Sequence, residues 1–206
     1  MRRLLIVNPN TDSSVTRWLA EEAGRVAGDD AEILPVNADS GLAAIQTPWD
    51  IDVAACAVVA VVAAHLDASG AIVAGFGDPG LTAARALGLM PVVGLGEAGV
   101  TAAGKGGRRF SIVTLGAAMR EPIRAKAEGL NLVALRVLPG RIADYVAQRE
   151  SRRDEVAREV EACVEAGAEA VLLGGAPFAG EAARIASAVC LIDGVESAVE
   201  ELWRVG

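Results

Sequence analysis

One unit occurs twice in this chain: a strand, a glycine-rich turn, a helix, a second strand and an acidic helix start. The first copy runs from Ala71-Ile72-Val73-Ala74-Gly75-Phe76-Gly77-Asp78-Pro79-Gly80 to Val92-Val93-Gly94-Leu95-Gly96-Glu97-Ala98. The second runs from Ala170-Val171-Leu172-Leu173-Gly174-Gly175-Ala176-Pro177-Phe178-Ala179-Gly180 to Cys190-Leu191-Ile192-Asp193-Gly194-Val195-Glu196-Ser197. With Gly75 set on Gly175, Glu97 and Glu196 fall within one residue of register. Any two strand–turn–helix units share part of this pattern, so the repeat alone leaves a single sheet open. Two similar lobes with their turns facing one cleft are the economical reading.

The rest of the chain alternates in the same way. Short apolar runs read as strands near Leu4–Val7, Glu32–Val36, Ala71–Ala74, Pro91–Gly94, Phe110–Thr114, Leu132–Leu135, Ala170–Leu173 and Val189–Ile192. Helices are expected near Ser14–Ala27, Ile51–Leu66, Leu81–Ala86, Ala98–Gly104, Glu121–Glu128, Arg152–Glu165, Phe178–Ala186 and Val195–Val205. Strict alternation predicts parallel sheets joined by right-handed crossovers. Hydrophobic residues make up 52% of the chain but aromatics only 3%, so the core must be built from Ala, Val, Leu and Ile. That suits sheets covered by Ala-rich helices. The expected class is therefore α/β, with two pseudo-symmetric lobes, each a short parallel sheet flanked by helices.

Several function classes are disfavoured at this level. Every apolar run is broken before about 18 residues, the length that would suggest a membrane span. The longest, Ile51 to Leu66, is expected to be a buried helix. Met1-Arg2-Arg3 and Leu4–Val7 meet Asn8-Pro9-Asn10 too soon for a leader peptide and are expected to form the first strand. Cys56, Cys163 and Cys190 show neither metal-ligand spacing nor a disulfide framework, so a cytoplasmic location is expected. All three fall in helical or strand stretches and are expected to be packed inside. With His65 the only histidine, no metal site is expected, and a histidine at a helix end is favoured by the dipole. The net charge of −8 argues against nucleic acid as partner. Lys105-Gly106-Gly107-Arg108-Arg109 reads as a surface loop, and Arg149–Glu161 as a solvated helix face.

Ligands of open α/β sheets bind beyond the carboxyl ends of the strands. Three turns there carry unusual residues. In Asn8-Pro9-Asn10-Thr11-Asp12-Ser13, the amides of Asn8 and Asn10 can bind a ligand, and Thr11, Asp12 or Ser13 can cap the next helix. In Gly75–Gly80, glycine lets a ligand approach the backbone, and Asp78 before Pro79 is expected to cap the following helix. Gly174-Gly175-Ala176-Pro177-Phe178 repeats the device. None of these forms a nucleotide-binding glycine motif, and no cofactor is expected.

Taken in order, N-P-N-T at Asn8–Thr11, G-F-G-D-P-G-L at Gly75–Leu81, V-G-L-G-E-A at Val93–Ala98 and L-I-D-G-V at Leu191–Val195 span the chain. The stretch Ser40-Gly41-Leu42-Ala43-Ala44-Ile45-Gln46 adds a fifth segment, similar to G-P-x-S-I-E. Together these resemble the aspartate/glutamate/hydantoin racemase superfamily, and hydantoin and allantoin racemases in particular. The resemblance implies two lobes, 1–95 with 193–206 and 96–192, and a cleft between them. It implies cofactor-free proton transfer at a carbon next to a carbonyl, a small-molecule substrate and a homo-oligomer.

Family members use two cysteines, one on each face of the substrate carbon. Their motifs read A-C-F-G-D-P-G and G-C-A-G-M, where this chain has Gly75 and Gly175 at the cysteine positions. The related arylmalonate decarboxylases keep one cysteine and an oxyanion pocket, so the scaffold accommodates change there. The loss of two side chains suggests a wider pocket. Expected substrate contacts are Asn8, Asn10, Thr11, Gln46, Thr47, Gly75, Phe76, Thr114, Gly175, Ala176 and Pro177. Asp78 is the nearest acidic candidate for catalysis, with Glu97 a further polar candidate. Three activities stay open: a racemase or epimerase without cysteine, a cofactor-free lyase or hydrolase, and a silent ligand-binding homologue.

Overall fold

The unbroken apolar run Leu4-Leu5-Ile6-Val7 of β1 (Arg2–Asn8) sets the architecture, because it must be buried on both faces. Leu4 and Ile6 point into a core shared by the whole molecule, while Leu5 and Val7 lie under the helices of an outer layer. The computed structural model describes residues 1–38 and 41–205. Ser40, the first residue of one family-like segment, and Gly206, the last of the first expected lobe, lie outside them.

After β1 come α1 (Ser13–Ala27), β2 (Ala31–Asn37), α2 (Pro48–Ala64), β3 (Gly70–Val73), α3 (Leu81–Ala86), β4 (Val92–Gly94) and α4 (Leu95–Ala103). The second half comprises β5 (Phe110–Leu115), α5 (Arg120–Lys126), β6 (Leu132–Leu138), α6 (Ile142–Ala147), α7 (Arg153–Glu165), β7 (Ala170–Gly174), β8 (Cys190–Asp193) and α8 (Gly194–Val205). Two four-stranded sheets result, ordered β2-β1-β3-β4 and β6-β5-β7-β8. All pairings are parallel. The same permutation in both halves gives the repeat its structural meaning: two α/β lobes of one topology.

The lobes share their covering helices. α4 follows the first sheet but packs on β7 and β8, whereas α8 follows the second and packs on α1, β3 and β4. The two helices also pack on each other. One core therefore runs from Leu4, Ile6 and Leu19 through Leu95 to Ile112, Leu172 and Val199.

Each shared helix begins at a buried carboxylate. Asp78 accepts from the amides of Gly96 at 2.8 Å and Glu97 at 2.9 Å, and Lys126 Nζ from α5 lies 2.7 Å away. Asp78 is thus a cap, but of α4 rather than of the helix that follows it. The N-cap of α3 is Gly80, and Asp78 itself adopts a left-handed φ of 52° that aims its side chain away from that helix. Gly94 makes room for it, since a Cβ there would stand 2.6 Å from the Asp78 carboxyl carbon. In the other lobe Asp193 occupies the position equivalent to Gly94 and accepts from Gly180 and Val195, both at 2.7 Å.

A second tie joins the lobes farther from the cleft. The Arg149 guanidinium lies over the Trp18 ring of α1 at 4.2 Å and pairs at 3.1 Å with the fully buried Glu181, which also binds Arg153. The stretch from Arg149 is therefore not a solvated face: Arg149, Val156 and Val160 are all buried.

Other expectations also need correction. Phe178–Ala186 forms two single 3-10 turns, Ala176–Phe178 and Ala182–Arg184, instead of a helix. Gly180 interrupts it at φ +75°, with its amide given to Asp193. The apolar stretch read as a buried helix is α2, which buries only Ala54, Val58 and Val62 and leaves Trp49 and Val53 exposed. Because α2 is apolar all round, its sequence does not say which side faces inward, and Cys56 falls on the exposed side. Cys190, at the start of edge strand β8, is exposed too, and only Cys163 is buried.

Two consequences for stability can be measured. Lys126→Met leaves the Asp78 carboxylate without its counter-ion and should lower stability by about 2–4 kcal/mol in urea denaturation, with Asp78→Asn in the same chain restoring part of it. An additive double mutant would count against the pair. Burial pushes the Asp193 carboxyl from its ordinary 3.8 up to about 6, against the pull of the Gly180 amide. A raised carboxyl favours the fold below 3.8, and that contribution is lost as pH rises through 6. Asp193→Asn should therefore gain stability relative to the native chain from pH 4 to pH 7, by up to ~3 kcal/mol. Parallel melting curves at the two pH values would show a constant offset if this is wrong.

Candidate active site

The cleft lies where the carboxyl ends of both sheets meet. It has about 70 Å³ of room for the centres of water-sized molecules. At roughly 10–15 Å³ each, that is space for about five waters, the scale of a small ring compound. One wall is Pro9, Asn10, Asp12, Gly75, Phe76 and Gly77 from the first lobe. Facing it are Thr114, Gly174, Gly175, Ala176 and Pro177. Val15, Met119, Ile123, Ile142 and Val146 make the remainder apolar.

The first wall is built around Asn8, which is fully buried. Its Nδ2 donates to Asn10 Oδ1, to the Asp12 carbonyl and to Thr16 Oγ1, and its Oδ1 accepts from the Asn10 amide. Asn8 thus shapes the turn from behind and does not line the pocket. Asn10 does line it: Oδ1 is held by Asn8 and the Asp12 amide, and Nδ2 donates to nothing among the described residues. Asp12 caps α1 by accepting from Ser14 and Val15. It is the only titratable side chain lining the pocket among the described residues.

Backbone donors dominate both turns. The amides of Gly75, Phe76, Gly175 and Ala176 meet no acceptor among the described residues. Such preorganised donors suit an oxyanion. Thr114, buried at the end of β5, gives its hydroxyl proton to the Gly174 carbonyl at 2.5 Å, which leaves its oxygen as an acceptor towards the pocket. The edge of Phe76 reaches across the cleft to Gly174, where a Cβ would stand 2.5 Å from the ring.

Of the sequence-expected contacts, the structure brings together Asn10, Gly75, Phe76, Thr114, Gly175, Ala176 and Pro177. Others are engaged elsewhere. Thr11 is exposed, with its amide on the Leu42 carbonyl. Gln46 and Thr47 give their amides to Asp50, and the Thr47 hydroxyl closes the capping box of α2. Asp78 is held by Gly96, Glu97 and Lys126, with burial raising its carboxyl above the ordinary range against the pull of Lys126. Glu97 is exposed and paired with Arg85. None of the three cysteines lines the pocket.

The apolar wall escaped the sequence-level view. Ile142-Ala143-Asp144-Tyr145-Val146 has the helical spacing that would have located α6, with Ile142 and Val146 one turn apart. The expected widening is absent on the first wall, because a Cβ at Gly75 would stand 2.8 Å from Pro9 Cγ and 3.2 Å from Pro79 Cδ. At Gly175 a Cβ would meet only ordinary contacts, with Phe178 at 3.6 Å and Pro177 at 3.7 Å, but the backbone has φ +156°, a conformation that side chains rarely adopt.

The whole arrangement has counterparts. The family model described as Asp/Glu/Hydantoin racemase matches residues 4–202. A hydantoin racemase from Paenarthrobacter aurescens is 31% identical over 206 residues, covering 95% of this chain and 87% of its own. Among solved structures, an allantoin racemase from Klebsiella pneumoniae superposes with a TM-score of 0.87 at 30% identity, over 100% of this chain and 87% of its own. The allantoin racemase of Pseudomonas fluorescens gives 0.90 at 27% identity, over 98% and 90%.

Both glycines should resist a side chain, for different reasons. Gly75→Ala forces Pro9 or Pro79 to move, and Gly175→Ala strains the backbone; each should cost about 1–3 kcal/mol. Urea midpoints unchanged in both variants would show that the turns are looser than described.

Proposed function

The chain belongs to the Asp/Glu/hydantoin racemase family, and from that membership we propose that it transfers a proton at a carbon next to a carbonyl without cofactor or thiol. The substrate class is a small cyclic amide, imide or carboxylate. Removing such a proton places negative charge on the neighbouring carbonyl oxygen. The amides of Gly75, Phe76, Gly175 and Ala176, on residues that line a largely apolar pocket, would hold that oxyanion. Asn10 Nδ2 offers a further donor, and Thr114 Oγ1 an acceptor for a ring N–H. The observation that carries this reading is the pair of glycine turns, with amides unpaired among the described residues, lining one pocket from equivalent places in two lobes.

A second reading is favoured by a different observation: no two ionisable side chains face each other across the described pocket. Loss of carbon dioxide from an activated carboxylate gives the same enolate without a base, so a lyase would need only the oxyanion donors.

Proton NMR in deuterium oxide distinguishes them. With allantoin, 5-methylhydantoin and 5-benzylhydantoin, the C5 proton signal should disappear faster than in buffer alone. Iodoacetamide should alkylate the exposed Cys56 and Cys190 while leaving the exchange rate within about twofold. Inactivation that substrate prevents would mean that a cysteine reaches the site. Carbon dioxide release from phenylmalonate without hydantoin exchange would favour the lyase.

A further inference from the structure

The proposed proton transfer needs a group that can take the proton, and the turn after β1 holds one in an unusual way. Asp12 is fixed at three polar atoms. Its amide donates to Asn10 Oδ1 at 2.9 Å, and its carbonyl accepts from Asn8 Nδ2 and from the Thr16 amide, both at 3.2 Å. Oδ1 accepts from Ser14 at 2.9 Å and Val15 at 3.4 Å. Oδ2 has no partner among the described residues, and Asp12 is one of the residues that line the pocket. The backbone network sets the carboxylate without using its second oxygen. A cap alone needs one oxygen, which Ser, Thr or Asn would also supply.

The same turn touches both sides of the cleft. Pro9 packs where a side chain at Gly75 would stand, and α1, which Asp12 opens, packs on the 176–178 turn. Asp12 thus belongs to a segment that touches both walls of the cleft.

Resting on the proton-transfer function above, we infer that Asp12 is the base of this pocket and its only one, so that the site works on one face of the substrate. Oδ2 takes the α-proton as the C–H electron pair moves into the neighbouring carbonyl, and the amides hold the resulting oxyanion. The reverse step returns a proton from Oδ2 to the same carbon and face, or a deuteron once the acid has exchanged with solvent. Inversion requires a proton from water on the opposite face and is the slower event.

Asp12→Asn tests this without removing the cap, because Asn is as good an N-cap as Asp. Asp12→Ser is a second variant that also caps. Single enantiomers of allantoin and 5-benzylhydantoin in deuterium oxide give two rates: loss of the C5 proton by NMR and loss of optical rotation. The native chain should exchange at least about tenfold faster than it inverts. Both variants should keep the native Tm within a few degrees and lose at least about tenfold of the exchange, with roughly 10²–10⁴ expected for a lost general base. A native chain that exchanges while both variants retain more than a tenth of its rate would overturn the role of Asp12 and leave the proton-transfer function intact. Equal rates of exchange and inversion in the native chain would reveal a second group and overturn the one-face mechanism. A native chain that exchanges neither probe would remove the proton-transfer function, and this inference with it.

Discussion

An anion held between the lobes determines where the rest of the site can stand. Leaving the Asp78 carboxylate unpaired at that depth would cost several kcal/mol, and two orphan amides of α4 together with Lys126 offset this. Because α4 lies on β7 and β8, the bond network fastens the first-lobe turn to the second lobe, and Lys126 fastens it again from α5. The Gly75–Gly77 wall is thereby placed opposite Gly174–Gly175 by polar contacts outside the pocket, and the pocket itself needs few. Asp193 serves the same purpose for α8. Two carboxylates thus reach equivalent helix starts from non-equivalent sequence positions, one from a turn and one from a strand end.

The strands were legible because a short apolar run closed by Gly, Asn or Asp has few alternatives once it alternates with amphipathic segments. Gly75, Gly175 and their neighbours were legible because they end such strands. Asn8 and Asn10 looked alike in sequence, yet one faces the turn it organises and the other the ligand space. That difference depends on Thr16, a full turn into α1. Thr47 read as a ligand contact because a capping threonine and a binding threonine are the same residue in a loop. Only the fold shows that Asp50 completes its box. Arg149 was misread because a charged helix flank is solvated unless something such as Trp18 and Glu181 arrives from elsewhere in the chain. Met119 and Ile123 carried no local sign of a site, since their role exists only after the lobes close.

Glycine at 75 and 175 leaves neither turn a side chain to offer at those positions. At Gly75 the prolines Pro9 and Pro79 fill the space a side chain would need, and at Gly175 the backbone adopts a conformation that glycine alone accepts readily. Both turns still present amide donors. A backbone amide can stabilise a developing oxyanion but cannot take up a proton, so the proposed reaction divides these two tasks between the turns and another group.

The exchange of α4 and α8 between sheets bears on how the molecule comes undone. Cutting the chain between its two topological halves would leave the first sheet without α8 and the second without α4, each with one face of Val, Ile and Leu uncovered. Neither half owns a complete core, so the lobes are units of architecture rather than of thermodynamics. Heat or denaturant should meet one cooperative body, and the geometry of the cleft should persist until the whole fold is lost.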